Sequence, residues 1–254
     1  MSALILRLAG PLQSWGERSV FGTRDTASFP TRSGLIGMLA SAEGRARTAL
    51  LDRYADLGLT VRVDRPGTRL IDFHTVGGGL PVACTVPTSE GGHRQADAAT
   101  LVSRRHYLAD AVFTVAVTGP TPLLDRIADS LEHPAWAPYL GRRSCVPDEP
   151  LVLGTGIDDP ERELRSAVPL SLARPPAPGS NTVAVEFIHE TPPAGLPDQA
   201  QLYEITDIPK SFAPHARQYS SRRLWRTVEQ LPADLYAGPR PAERLIDYAL
   251  KQDA

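Results

Sequence analysis

A glycine-rich polar tract between two strand-like segments constrains the fold of this chain more than any other feature. Ile71-Asp-Phe-His-Thr-Val76 alternates as a strand, and Arg104-Arg-His-Tyr-Leu108 resumes the alternation. Between them, roughly 27 residues containing Gly77-Gly-Gly79 and Gly91-Gly92 are too long for an ordinary hairpin loop. The tract, residues 76–103, therefore reads as a protruding flexible hairpin, a thumb whose returning arm is 104–108. What remains on either side is regular. Leu4–Leu8 is an apolar strand, and Leu35, Ile36, Leu39, Ala40, Ala46 and Leu50 mark a helix from about Gly34 to Leu51. Leu59–Asp64 is a strand closed by Pro66-Gly67, and Ala111–Val117 is the most apolar strand, expected near the middle of the sheet. Leu123, Leu124, Ile127, Ala128 and Leu131 give a second helix, and Leu151–Leu153 a last strand. Without the thumb the order is β-α-β-β-α-β, which predicts an α+β, ferredoxin-like domain of the kind shared by RNA-recognition modules.

That domain is expected over residues 1–172. Arg174-Pro-Pro-Ala-Pro-Gly179 reads as a stiff linker. Beyond it Val183–Ile188, Gln201–Ile205 and a helix at Ala242–Leu250 suggest a small C-terminal β-rich lobe over 180–254. No apolar run approaches the ~20 residues of a membrane span, and the N-terminus shows no secretory pattern, so the expectation is a cytoplasmic protein with no membrane role. Cys84 and Cys145 have no metal-ligand spacing, and neither a metal nor a cofactor is expected.

Chemistry concentrates after the first strand. Gly10-Pro-Leu-Gln-Ser-Trp-Gly16 runs on to Phe29-Pro-Thr-Arg-Ser-Gly-Leu-Ile-Gly37 and carries Arg18, Arg24 and Arg32 with the rings of Trp15, Phe21 and Phe29. Thr31 and Ser33 stand where helix N-caps belong, so free backbone N–H groups would face a ligand of this loop. Guanidinium groups, flat rings and a helix N-terminus suit a phosphate-and-base ligand, with RNA the first candidate. The net charge of −2 excludes an indiscriminate nucleic-acid binder. Residues 1–50, however, carry six Arg against three acids, and residues 151–210 reverse that balance, as suits a subunit inside a ribonucleoprotein. The preference for Arg over Lys fits bidentate phosphate contacts, and equally a GC-rich genome.

Five segments in one order carry a family resemblance: Gly10–Gly16, Pro30-Thr-Arg-Ser-Gly-Leu-Ile-Gly37, Asp72-Phe-His-Thr75, Arg105-His-Tyr-Leu-Ala-Asp-Ala111 and Tyr139-Leu-Gly-Arg-Arg-Ser-Cys145. Together they resemble the CasD-type subunits of type I-E CRISPR Cascade complexes, members of the RAMP superfamily, over roughly residues 1–155. The resemblance implies a cap on the 5′ handle of CRISPR RNA, with the thumb against a neighbouring backbone subunit and the large subunit docked nearby. Target DNA would be met only through the assembled complex. It also implies binding rather than cleavage, since a separate type I-E subunit cuts the precursor, whereas the corresponding type I-C protein is itself a nuclease.

On this reading Arg24 and Arg32 pair with phosphates, while Ser14, Thr31 and Ser33 offer hydroxyls. Trp15 either stacks on an unpaired base or anchors the loop in the core. Arg104 and Arg105 point to opposite faces of the thumb arm, so at most one meets RNA. Tyr139, Arg142 and Arg143 form a second basic-aromatic cluster. His74 and His106 lie on paired segments and could approach each other as the base and acid of a metal-independent ribonuclease. A structural histidine is the commoner outcome, so no catalytic residue is assigned. Asp64, Asp72 and Asp110 are too scattered for a metal nuclease.

Overall fold

The computed structural model describes residues 2–252 apart from Arg18, Phe21, Ser89, Ala194, Leu196, Asp198 and His215. Its first half comprises β1 (Ser2–Ala9), the short strands β2 (Leu12–Gln13), β3 (Ser19–Val20) and β4 (Thr23–Arg24), helix α1 (Arg32–Ala42), β5 (Gly58–Arg65), β6 (Thr68–Val76), β7 (Leu101–Ala109), β8 (Val112–Gly119) and α2 (Thr121–Glu132). The second half adds β9 (Val152–Ile157), α3 (Pro160–Ser166), β10 (Thr182–His189), β11 (Gln201–Ser211), β12 (Gln218–Pro232) and α4 (Pro241–Gln252).

The expected order is realised in the antiparallel set β9-β1-β8-β5, the ferredoxin-like arrangement, with β8 between β1 and β5. Its apolar strands are apolar because both faces are covered. In β1, Leu4, Leu6 and Leu8 face α1 and α2, while Ala3 and Ile5 face α3 and α4. Buried Arg62 fastens α3 and the chain after it to the sheet. It donates to the carbonyls of Leu164, Val168 and Pro169 at 2.6–2.9 Å and pairs with Asp64 at 2.7 Å. Asp64 is thereby a core residue.

The C-terminal strands do not form a sheet of their own. β10 pairs with β5 through Glu186–His189, and β12 and β11 follow, so one seven-stranded sheet runs β11-β12-β10-β5-β8-β1-β9. The expected lobe instead covers the otherwise open edge of β5, which would template unwanted pairing if left bare. The 15-residue β12, unmarked by clear alternation, is the longest strand.

The thumb starts earlier and ends later than its polar tract. β6 and β7 pair from Thr68↔Ala109 to Val76↔Leu101 and form a second sheet with β2, β3 and β4. Its tip has its own hydrogen bonds: the Thr85 hydroxyl lies 2.8 Å from the Val82 carbonyl and 2.9 Å from that of Arg94. Among the described residues no helix is long and apolar enough to cross a membrane.

Candidate nucleic-acid interface

The first loop is locked from inside. Trp15 is fully buried, its N–H donates to the Thr26 hydroxyl at 2.8 Å and its indole Nε1 to Gln13 Oε1 at 3.0 Å. Glycine at 34 is required by this packing, because a Cβ there would stand 2.7 Å from the indole. Trp15 is therefore the core anchor and is not available for stacking. Ser14 is buried as well, its hydroxyl donating to the His106 carbonyl at 2.9 Å. Phe29 packs edge-on against Tyr203. Arg18 and Phe21 lie outside the described residues.

The start of α1 is occupied by the protein itself. Thr31 caps it, accepting from the Gly34 N–H at 3.3 Å, and the Ser33 hydroxyl lies 3.4 Å from that of Thr31. The Arg32 N–H, expected to face a ligand, instead donates to the Asp207 carboxylate of β11 at 2.6 Å. The Arg32 guanidinium is buried and forks onto Glu190 at 2.8 and 2.9 Å, with a further bond to the Tyr54 carbonyl at 3.0 Å. Arg222 of β12 bridges the same two carboxylates, holding Asp207 at 2.5 and 2.7 Å and also pairing with Glu190. Arg32 is thus a structural tie between α1 and the C-terminal strands and does not face a phosphate. Two acids, both far along the chain, consume the charge that the loop reading had assigned to RNA.

The remaining candidates converge on an open groove of about 1380 Å³. Its thumb end carries Arg24, Arg105, Arg142 and Arg143 with Tyr139. Parallel pairing of β4 with β7 sets Arg24 beside Arg105, and alternation turns neighbouring Arg104, which is exposed, away. The segment 139–146 is laid over the first loop by a hydrogen bond from Ser14 N–H to the Leu140 carbonyl at 3.0 Å. Gly141 makes this approach possible: at φ 83°, its Cβ would lie 1.8 Å from the Ser14 carbonyl oxygen. Arg142 then sits 4.6 Å above the Tyr107 ring and donates to the Arg24 carbonyl at 2.9 Å. Its Nη1 is buried with no partner among the described residues. Arg143 remains exposed.

Residues that the sequence reading passed over complete the groove. Arg45 and Arg47 enter it because α1 stops at Ala42, nine residues before its expected end at Leu51. Trp136 follows α2, and Arg217 and Tyr219 arrive on the β11–β12 hairpin opposite. The early helix stop had one signal, Gly44; the reach of the distant hairpin had none. Against seven guanidinium groups the described lining has two acids, Glu17 and Asp25. A wall this basic, with tyrosines and tryptophan between the charges, has the chemistry that phosphate contacts and ring stacking with an unpaired nucleic-acid strand require.

The histidines do not meet. His74 pairs opposite Ser103, and His106 opposite Ile71. Three ladder positions, about 10 Å, separate them, and the odd spacing turns them to opposite faces of the ribbon. His74 instead lies 3.3 Å from Asp72. Among the described residues no group of three or more His, Cys, Asp or Glu is placed to hold a metal.

A ferredoxin-like core with an excrescent β-hairpin and a basic groove at the hairpin's base defines an RNA-handling class of protein. The model of the CRISPR-associated protein (Cas_Cas5) family matches residues 3–224, and the chain belongs to that family. It is 38% identical over 184 residues to the CRISPR system Cascade subunit CasD of Escherichia coli strain K12, covering 66% of this chain and 78% of that one. A chain in a solved CRISPR RNA-guided surveillance complex superposes with a TM-score of 0.87 at 52% identity, covering 98% of this chain and 99% of its own. A crystal structure of a Cas protein superposes at 0.63 with 29% identity over 92% of this chain and 97% of the other.

Proposed function

We propose that this chain is a non-catalytic guide-RNA-binding subunit of a type I-E Cascade complex, gripping the 5′ handle of the CRISPR RNA and capping the backbone filament. The observation that carries the reading is the groove at the thumb base, where Arg24, Arg105, Arg142 and Arg143 converge beside Tyr139. Four guanidinium groups within one wall provide the multidentate phosphate grip that an unpaired RNA tail needs. The family membership and the surveillance-complex likeness support the same assignment.

The thumb supports a protein partner. Ile71 and Phe73 are 61% and 66% exposed on one face of β6. Apolar side chains set in register on a protruding ribbon fit a neighbouring backbone subunit, and the large subunit would approach the assembled handle. Target DNA is met only through the complex, in the cytoplasm. Separation of His74 from His106 favours binding over cleavage.

The test replaces Arg24, Arg105 and Arg143 together by Ala, which touches exposed or half-exposed side chains only. Complex purified with this variant is expected to lose guide RNA, and normal retention would overturn the reading. Incubating the wild-type chain with repeat RNA in chelator is expected to leave the RNA intact. Cleavage that disappears in His106→Ala would establish the ribonuclease alternative instead.

A further inference from the structure

The groove has a second end, remote from the thumb, whose chemistry the handle-gripping arginines do not use. Helix α1 terminates there in a Schellman motif. Gly44, at φ 69°, donates to the Ser41 carbonyl at 3.0 Å, and the Arg45 N–H to that of Ala40 at 2.9 Å. The chain leaving α2 is pinned to this stop. Ala135 N–H donates to the Ala42 carbonyl at 2.8 Å, and a Cβ on Gly44 would stand 3.0 Å from that of Ala135. The next residue, Trp136, is consequently held on a fixed backbone while its side chain is 53% exposed in the groove wall, together with Arg45, Arg47 and the 81% exposed Leu50.

This exposure sets Trp136 apart within the chain. Trp15 is sealed in the core and Trp225 is half-buried in β12, whereas Trp136 is 53% exposed in the groove wall. A large indole face offered to solvent between guanidinium groups is a platform for a flat, anionic ligand. The 11-residue α1 separates this end from the Thr31–Ser33 end by roughly 16 Å. At ~3.4 Å per stacked nucleotide, an RNA strand would run about five nucleotides between the two.

We infer that Trp136 stacks on one unpaired base of the guide RNA while Arg47 holds an adjacent phosphate, an assignment that rests on the groove being the RNA site. The experiment titrates the full chain with a fluorescein-labelled single-stranded RNA bearing the repeat-derived 5′ segment of the guide. Trp136→Ala is expected to weaken binding between about fivefold and a hundredfold, and Trp136→Phe to restore most of it. Arg47→Ala is expected to lower the slope of log affinity against log salt by about 0.7. RNA should quench the intrinsic fluorescence of the wild-type chain and leave that of Trp136→Ala nearly unchanged. Because the indole is half exposed, all variants should melt with the wild type.

Wild-type affinity and undiminished quenching in Trp136→Ala would overturn the inference. If the Arg24, Arg105 and Arg143 triple variant still loses RNA in that case, the groove reading stands and only the stacking fails. If the triple variant also binds normally, the groove reading falls with it. Trp136→Ala that binds RNA normally yet fails to enter a complex with the other subunits would make the indole a protein contact, which equally overturns stacking.

Discussion

Replacing Arg32 by Ala should cost the protein stability rather than RNA affinity, the reverse of what the loop sequence suggests. The side chain is 8% exposed and bonded to Glu190, with Asp207 fully buried against the same helix end. Removing one member of a buried ion pair strands its partners at a cost of about 3–5 kcal/mol. Arg222 stays on both carboxylates, which places the expected loss near the lower end, about 3 kcal/mol. For a chain of this size each kcal/mol moves the melting point by roughly 2–4 °C, so Arg32→Ala should melt roughly 6–12 °C below wild type. Arg24→Ala, on an exposed strand end, should stay within about 0.5 kcal/mol of wild type while weakening RNA binding. Thermal unfolding of the two purified variants beside an RNA-binding titration separates the roles. A cycle with Glu190→Gln should show coupling, because the second substitution removes the carboxylate that the first leaves stranded. An Arg32→Ala protein that melts with wild type and has lost RNA affinity would refute the network assignment.

Gly141→Ala places a methyl group 1.8 Å from the Ser14 carbonyl at a positive φ, so the 139–146 segment must lift. RNA affinity should drop with Arg142 and Arg143 displaced, and an unchanged titration would show that this segment does not build the site. Ile71→Ser with Phe73→Ser should leave the melting point of the isolated chain within a few degrees, since both side chains are exposed, yet prevent co-purification with the backbone subunit. Acid stability should depend on Glu229. Burial alone would raise its carboxyl, but the His189 imidazole 3.7 Å away and the hydrogen bonds from Arg165 outweigh that and bring it down to about 2. A carboxylate depressed in the folded state stabilises above its unfolded value of ~4.3 and loses that contribution as pH falls towards about 2. Glu229→Gln should flatten the acid limb of an unfolding profile between those values, and an unaltered limb would count against the triad.

What could be read from the sequence follows the range of the interactions involved. β1, β5, β8 and α2 are legible because each buries a face at its own local period, and near-continuous burial of β1 and β8 leaves an apolar run. The thumb is legible because no packed domain absorbs so long a polar tract without extruding it. β12 is not, because its Arg222 and Arg226 settle their charge on acids that lie elsewhere in the chain.

The same distinction governs the site. Arg24, Arg105, Arg142 and Arg143, singled out in the sequence, all line the groove, because none of them is claimed by a buried acid. Arg32 and Trp15 sit in the same motif and carry the same chemistry, but Glu190, Asp207 and Gln13 claim them. A motif therefore marks where a loop is built, and the claims of distant partners decide which of its side chains are left to bind. Trp136 runs the other way: nothing in the local sequence singles it out, and it reaches the groove because the stop at Gly44 pins its backbone there. Disrupting that stop by Gly44→Val should therefore move the indole and weaken RNA binding at an intact thumb-end arginine cluster.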